Sequence, residues 1–274
     1  MTTDRNIARG PVPADVLAYW RAKGLRVGFD YRDVWEEEHD LAFSAAKLMR
    51  RDVLAAMKDE LERAIRDGVP FDQWRKEIEP RMKSLGWWDV HEVRDPQTGA
   101  VARVNPPARL ATIYATNMRT ARAVGQYDRI QRNKRTRPYL LYQVGPSERH
   151  REQHLAWHGL LLPVDDPFWD THFCPNGWGC KCSLRAVSRR EADALEADGV
   201  LAPNPEPVLD DNGQTTGHVL DQRVAVRREA PPVKLVPWEN KRTGKVEFVP
   251  EGIDPGFQHT PGEGRALALA AAEE

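Results

Sequence analysis

The chain has 274 residues, 41% of them hydrophobic and 30% charged, a composition typical of a soluble globular protein with one large domain or two modest ones. Lysine and arginine number 40 against 41 aspartates and glutamates, which argues against a wholesale polyanion-binding protein and leaves nucleic-acid contact to local clusters. No apolar run approaches the ~20 residues that span a bilayer, and residues 1–13 lack the apolar segment of a secretory signal.

The N-terminal region, residues 1–88, is predicted to be helical. Apolar residues three and four apart occur in four runs, at 14–23, 34–48, 53–65 and 71–85. Gly68 marks the end of the third run, and Pro80 is expected to kink or split the fourth. We therefore expect three or four packed helices here.

Residues 89–202 are predicted to mix helices with hairpins. Alternation around the turn Asp95–Gly99 indicates a hairpin, and the longest helix is expected at 110–132, before a strand at 139–144. Ser188 and Glu191 form a capping-box pattern for a further helix.

Residues 203–274 are predicted to form loops and hairpins, with turns at Asp211-Asn212-Gly213 and Arg242-Thr243-Gly244 and a frayed or disordered tail at 265–274. The expected fold class is therefore α+β, with a helical N-terminal region (1–88), a mixed region with a His/Cys-rich loop (89–202), and a loop and hairpin region (203–274).

Histidines and cysteines are concentrated in one window, 150–182. Of the eleven in the chain (three Cys and eight His), seven lie there: His150, His154, His158, His172, Cys174, Cys180 and Cys182. One explanation is a structural Zn²⁺, which usually takes four His or Cys ligands. The residues proposed as ligands are His154, His158, Cys180 and Cys182. A disulfide and a set of buried thiols with solvated histidines are the alternatives that the sequence leaves open.

The same residues offer little for a catalytic site. The segment His154–His158 has no glutamate after its first histidine to act as general base, and Asp165-Asp166 lies between prolines. We therefore expect no enzymatic activity. The alternative is a metal-dependent, nuclease-like enzyme associated with DNA packaging.

Basic residues are dense between residues 119 and 151. Nine lysines and arginines occur there, opposed by Asp128 and Glu148. Such a stripe could neutralise DNA phosphates without reading bases, or it could be a solvated face or a docking surface for an acidic partner. The candidate contacts to DNA or to a protein partner are Arg119, Arg122, Arg149 and Arg151.

Three consecutive segments of the chain form a specific motif. They are Arg149–Gly159, Pro163–Trp169 and Pro175–Cys182, the last reading Pro-Asn-Gly-Trp-Gly-Cys-Lys-Cys. The motif resembles the hallmark of the phage Mu F-like head morphogenesis family. The resemblance extends to Ala42–Lys47, Gly86-Trp87-Trp88, Tyr114–Ala121 and Pro255-Gly256-Phe257, and so covers most of the chain. Cys174 and Lys181 depart from the family pattern, which usually has Pro and Arg there.

The resemblance implies a minor head protein, made in the bacterial cytoplasm and present in the virion inside the capsid near the portal vertex. Its expected partners are the portal protein, capsid or scaffold proteins and, non-specifically, double-stranded DNA. Trp157, Phe168, Trp169 and Trp178 are expected to be packing or interface anchors.

The resemblance also bears on the zinc ligands. The position of His158 looks more permissive in the family, which leaves His172 as an alternative fourth ligand; His150 and Cys174 are further alternatives.

Overall fold

The computed structural model describes residues 14–34, 38–147, 149–210 and 212–264. The chain divides into two compact units. The first comprises Met1–Tyr127, Glu239–Lys245 and Pro261–Glu274, and the second comprises Asp128–Trp238 and Val246–Thr260. This division differs from the predicted boundaries, because segments from the C-terminal region join both units.

Helices and short strands occur together, which confirms the predicted α+β class. The described α-helices are α1 (Ala14–Ala22), α2 (Glu38–Leu41), α3 (Arg51–Asp67), α4 (Phe71–Ser84), α5 (Pro106–Asn133), α6 (Glu152–Trp157), α7 (Phe168–His172) and α8 (Arg189–Asp198). None of them is long and apolar enough to cross a membrane.

The strands belong to small sheets. They are β1 (Gly24–Leu25), β2 (Ala42–Phe43), β3 (His91–Arg94), β4 (Val101–Val104), β5 (Tyr139–Gln143), β6 (Leu161–Pro163), β7 (Ser183–Val187), β8 (Val200–Leu201), β9 (Pro207–Leu209), β10 (Thr215–Val219), β11 (Arg223–Val224), β12 (Leu235–Asn240) and β13 (Lys245–Pro250). β5 lies between β6 and β7 in a three-stranded antiparallel sheet, and the other strands pair two by two.

Helices α3 and α4 follow the predicted spacing closely. The periodic residues of α3, such as Met57 and Leu61, are fully buried, and the helix ends where Gly68 adopts a left-handed φ of 64° and donates its N–H to the Ala64 carbonyl. In α4 the buried residues are Trp74, Ile78 and Met82, and the helix continues through Pro80 without being split. These faces pack with α1 and α5 in one apolar core.

The predicted helix over 34–48 is wrong. The described part of this stretch has one helical turn, α2, followed by β2, which pairs in parallel with β1. Lys47 has a φ of 61°, outside the helical region. Phe43 and Leu48 are nevertheless buried, because an irregular chain can bring apolar residues to a core without helical periodicity.

Most later elements match their predictions. β3 and β4 form the antiparallel hairpin around Asp95–Gly99, and α5 is the long helix, with the division between the units falling at Tyr127. Ser188 caps α8 in a capping box with Glu191. The predicted turn at Arg242-Thr243-Gly244 lies between the paired strands β12 and β13, and Asn212 and Gly213 of the other predicted turn lie between β9 and β10, with Asp211 outside the described residues. The tail predicted at 265–274 lies outside the described residues.

Candidate metal centre and the loop that carries it

The loop 174–182 is organised around one buried amide, that of Asn176, which is 0% exposed. Its Oδ1 accepts a hydrogen bond from the Tyr142 hydroxyl at 2.8 Å and one from the Cys174 thiol at 3.4 Å. Its Nδ2 donates to the Phe173 carbonyl at 3.4 Å. Both ends of the amide are therefore hydrogen-bonded, which offsets much of the cost of burying it.

An ion pair holds the middle of the loop. Asp254 Oδ2 accepts hydrogen bonds from Arg151 Nη2 at 2.8 Å and from the Trp178 backbone N–H at 2.7 Å. Gly177 lies against this pair, and a Cβ there would meet both the Asp254 carboxylate and the Arg151 guanidinium. Arg151, predicted as a contact to DNA or a partner, thus serves inside the second unit.

Three of the four predicted metal ligands come together. His154 lies on α6, and Cys180 and Cys182 lie at the end of the loop, just before β7. The His154 Nδ1 and the two Sγ atoms lie within 4.8 Å of one another, with Nδ1 3.9 Å from Cys180 Sγ and 3.4 Å from Cys182 Sγ. His154 and Cys180 are buried and Cys182 is partly exposed.

A backbone carbonyl orients the His154 ring. Nε2 lies 2.9 Å from the Gly252 carbonyl oxygen. Because a carbonyl only accepts, Nε2 carries a proton, so in the neutral ring the lone pair that faces the two sulfurs is that of Nδ1. Gly252 has a φ of 94°, and a Cβ there would crowd the side chains of Gln153 and Trp157.

His158, the fourth predicted ligand, does not join this group. Its Nδ1 accepts from the Val144 N–H at 3.1 Å, and its Nε2 donates to the Leu201 carbonyl at 2.9 Å. Both ring nitrogens of His158 are therefore hydrogen-bonded to backbone groups. The spacing of His154 and His158 suggested a shared helix face, but α6 ends at Trp157 and His158 has left helical geometry.

The alternative ligands are also placed elsewhere. The His172 ring stacks on Phe168, with Nδ1 3.1 Å from the Phe168 carbonyl oxygen, and Cys174 bonds to Asn176. His150 Nε2 lies 3.1 Å from Asn204 Oδ1. None of the three belongs to the group of ligand atoms found among the described residues.

Burial sets the protonation of the groups around the site. It lowers the pKa of His172 to about 4 and raises the pKa of the Cys174 thiol. The pKa of Cys180 is lowered, chiefly because Cys182 hydrogen-bonds to it, and that of Cys182 is raised by the same contact.

A cavity of about 140 Å³ adjoins the three ligand atoms. Besides His154, Cys180 and Cys182, its lining includes Arg149, His150, Arg151 and Lys181. Three cationic residues therefore line the cavity together with the three ligands.

Aromatic packing supports α6. Trp157 is 5% exposed, stacks on His154 with ring centroids 5.0 Å apart, and meets His172 edge-on at 4.7 Å. Phe168 and Trp169 are buried as well, so these three predicted anchors are core residues. Trp178 is 40% exposed and packs edge-on against Phe257.

The predicted basic contacts are distributed over both units. Arg119 and Arg122 belong to the first unit, and burial lowers the pKa of Arg122. Arg149 and Arg151 belong to the second unit, where Arg149 is exposed.

Two residues that form part of the site, Gly252 and Asp254, are not identified by the sequence analysis. The sequence around these two residues has no pattern that would indicate their contacts with His154 and Arg151, which lie about a hundred positions earlier. The available signal was the neighbouring Pro255-Gly256-Phe257, part of the family resemblance.

Comparison with known proteins shows which proteins the chain is similar to. Residues 55–185 match the family model described as "Phage Mu protein F like protein". The chain is 36% identical over 265 residues to the "Putative capsid assembly protein F" of Escherichia phage Mu, which covers 95% of this chain and 56% of the relative. It is 34% identical over 217 residues to the "Mu-like prophage FluMu F protein" of Haemophilus influenzae, covering 79% of this chain and 51% of the relative.

The chain therefore spans about half the length of the curated relatives it matches. No solved structure gave a significant match. The similarity to the two relatives runs through most of the chain, and the family model includes the segment with His154, Cys180 and Cys182. On these grounds the chain belongs to the phage Mu F-like protein family.

Proposed function

We propose that the protein acts in capsid assembly of a tailed phage or prophage, as a minor head protein. The observation that carries the proposal is the 36% identity over 95% of the chain to the putative capsid assembly protein F of phage Mu. An assembly role needs surfaces for other head proteins more than it needs a reaction centre.

We propose that it acts inside the capsid near the portal vertex, with the portal protein as its main partner. Apolar side chains on β12 and β13 support a protein contact. Leu235, Val246 and Phe248 are 54%, 59% and 64% exposed, and association with another protein would remove this area from water.

DNA is a secondary partner in this proposal. Of the four arginines considered, Arg151 is paired with Asp254 and Arg122 is partly buried, whereas Arg149 is exposed. With a net charge of −1 for the chain, any DNA contact is confined to a patch around Arg149 and Lys181 and should weaken steeply with salt.

The role is proposed to be structural and not catalytic. The His/Cys group found in the described part of the chain offers one imidazole and two thiols. A nuclease-type centre instead uses oxygen-rich ligands for hard cations.

The partner assignment is tested by co-purification. Tagged protein is expressed with the portal protein of the same phage, and portal recovery is compared for the parent chain, Phe248→Asp and Leu209→Asp. We expect Phe248→Asp to lose portal protein. Leu209→Asp, at a 55% exposed site on β9, should retain it.

The assembly role is tested in the phage itself. Deleting the gene should reduce the yield of intact heads seen by electron microscopy, and expression from a plasmid should restore it. Normal heads after deletion, or a parent chain that never recovers portal protein, would contradict the respective parts of the proposal.

A further inference from the structure

We propose that His154, Cys180 and Cys182 bind one Zn²⁺ through Nδ1 and the two Sγ atoms, and that its fourth coordination position opens into the adjoining cavity and takes water or a small anion. This goes beyond the capsid role, which neither requires nor implies a metal.

The distances between the ligand atoms suit a tetrahedral ion. With Zn–N of about 2.0–2.1 Å and Zn–S of about 2.3 Å, a tetrahedron separates nitrogen from sulfur by about 3.6 Å. The observed separations from His154 Nδ1 are 3.4 Å to Cys182 and 3.9 Å to Cys180. The two nitrogen–sulfur separations therefore differ from the tetrahedral value by a few tenths of an ångström, and the two Sγ atoms lie within 4.8 Å of each other.

Hydrogen bonding alone accounts less well for the arrangement. Nδ1 of neutral His154 has one lone pair, because Nε2 donates its proton to Gly252. Both sulfurs approach that single lone pair. A thiol proton can be donated to that lone pair or to the neighbouring sulfur but not to both, whereas a cation between the three atoms is bound by all of them.

The orientation of His154 is that of a metal ligand with outer support. Histidine ligands almost always donate their other ring N–H to a carbonyl or carboxylate, which fixes the ring and its tautomer. Gly252 supplies this carbonyl from a distant part of the sequence, and Trp157 stacks on the ring. The imidazole is thus held in place before an ion arrives.

The described residues leave the fourth position to solvent. His158 has both nitrogens bonded to backbone, and the Cys174 thiol is bonded to Asn176. The cavity next to the three ligand atoms is about 140 Å³, enough for several water molecules.

Charge favours an anion at this position. Two thiolates neutralise Zn²⁺, and Arg149 and Lys181 on the cavity wall add positive charge, whereas the charge of Arg151 is paired with Asp254. Chloride, azide or phosphate should therefore compete with water for the ion.

The first test is the metal content of untagged protein, measured by elemental mass spectrometry. We expect about one zinc per chain. Cys180→Ser/Cys182→Ser should lose it, whereas Cys174→Ser, a change at a buried thiol outside the set, should keep it. The site is overturned if the double variant binds a full complement of added zinc, or if the parent chain never binds zinc.

The second test needs no variant that might fail to fold. Co²⁺ replaces zinc in the parent chain, and its absorption spectrum is recorded with and without azide. We expect thiolate-to-cobalt charge-transfer bands, four-coordinate ligand-field bands, and a shift of the latter with azide. Absent charge-transfer bands overturn thiolate ligation.

The open position is tested separately from the site. The open position is overturned if azide leaves the ligand-field bands unchanged, or if His158→Gln changes them. Either result would mean that a fourth protein ligand occupies the position. His150→Ala gives the same check for the histidine that lines the cavity.

Discussion

Helices α3 and α4 and the loop 174–182 all contain fully buried side chains, but the helices and the loop are held in different ways. The helices bury side chains that recur every three or four residues, so each contact has neighbours of the same kind on the same face. The loop is held by single polar contacts, from Tyr142, Arg151 and Asp254, that come from distant parts of the sequence. The stability of a periodic apolar face is shared among many similar contacts, whereas the conformation of the loop depends on a few individual hydrogen bonds.

The largest effect is expected in the helical core. Trp74 is 0% exposed, packs against Phe71 and Tyr114, and donates its Nε1–H to the Glu60 carbonyl. Trp74→Ala should lower the free energy of unfolding of the first unit by about 3–5 kcal/mol. Urea denaturation measures it, with Lys76→Ala on the exposed face of α4 as the control. Equal costs at the two positions would contradict the assigned core.

A pH effect of nearly that size is expected in the second unit. The pKa of His172 is lowered to about 4 by burial, so between pH 6.5 and 4 the unfolded chain binds a proton that the folded chain does not. The stability present above pH 6.5 should therefore fall as the pH drops through this window, by up to about 3 kcal/mol from this group.

Thermal unfolding between pH 4 and pH 7 measures the slope. His172→Gln should flatten it, and His91→Gln in the first unit controls for the loss of one imidazole. An unchanged slope in His172→Gln would show that other groups cause the pH dependence.

The next effect concerns the space at Gly177. A methyl group there would meet the Asp254 carboxylate and the Arg151 guanidinium, so Gly177→Ala should cost about 1–3 kcal/mol and speed proteolysis of the loop. Gly179 has a left-handed φ of 70° but no atom within 4 Å of an added Cβ. Gly179→Ala should therefore cost only the backbone strain, about 1 kcal/mol. Equal proteolysis of the two variants would argue against a close fit of Gly177 to the pair of Arg151 and Asp254.

The smallest effect separates a structural ion pair from a surface one. Asp254→Asn weakens the pair with Arg151 and the bond from the Trp178 N–H, and should cost about 1–2 kcal/mol. Asp165→Asn removes the pair between Lys134 and Asp165, whose side chains are 47% and 71% exposed, and should change stability by less than about 0.5 kcal/mol. Chemical denaturation of both variants checks the order.

The sequence by itself determined several of the helices and pointed to the family, although it failed at 34–48. Periodicity and capping residues were enough for α3, α4 and α8, because helix hydrogen bonds are local and the apolar face is written in the spacing. The density of His and Cys in 150–182 also identified the neighbourhood of the candidate site before any coordinates.

Only the tertiary structure decided which of those residues meet. A spacing of four pointed to His158 beside His154, but the one-and-a-half-turn helix α6 stops between them, and His158 turns to Val144 and Leu201. Arg151 likewise became an internal partner because the chain returns at Asp254. Such contacts depend on where distant segments fold back, which no local pattern encodes.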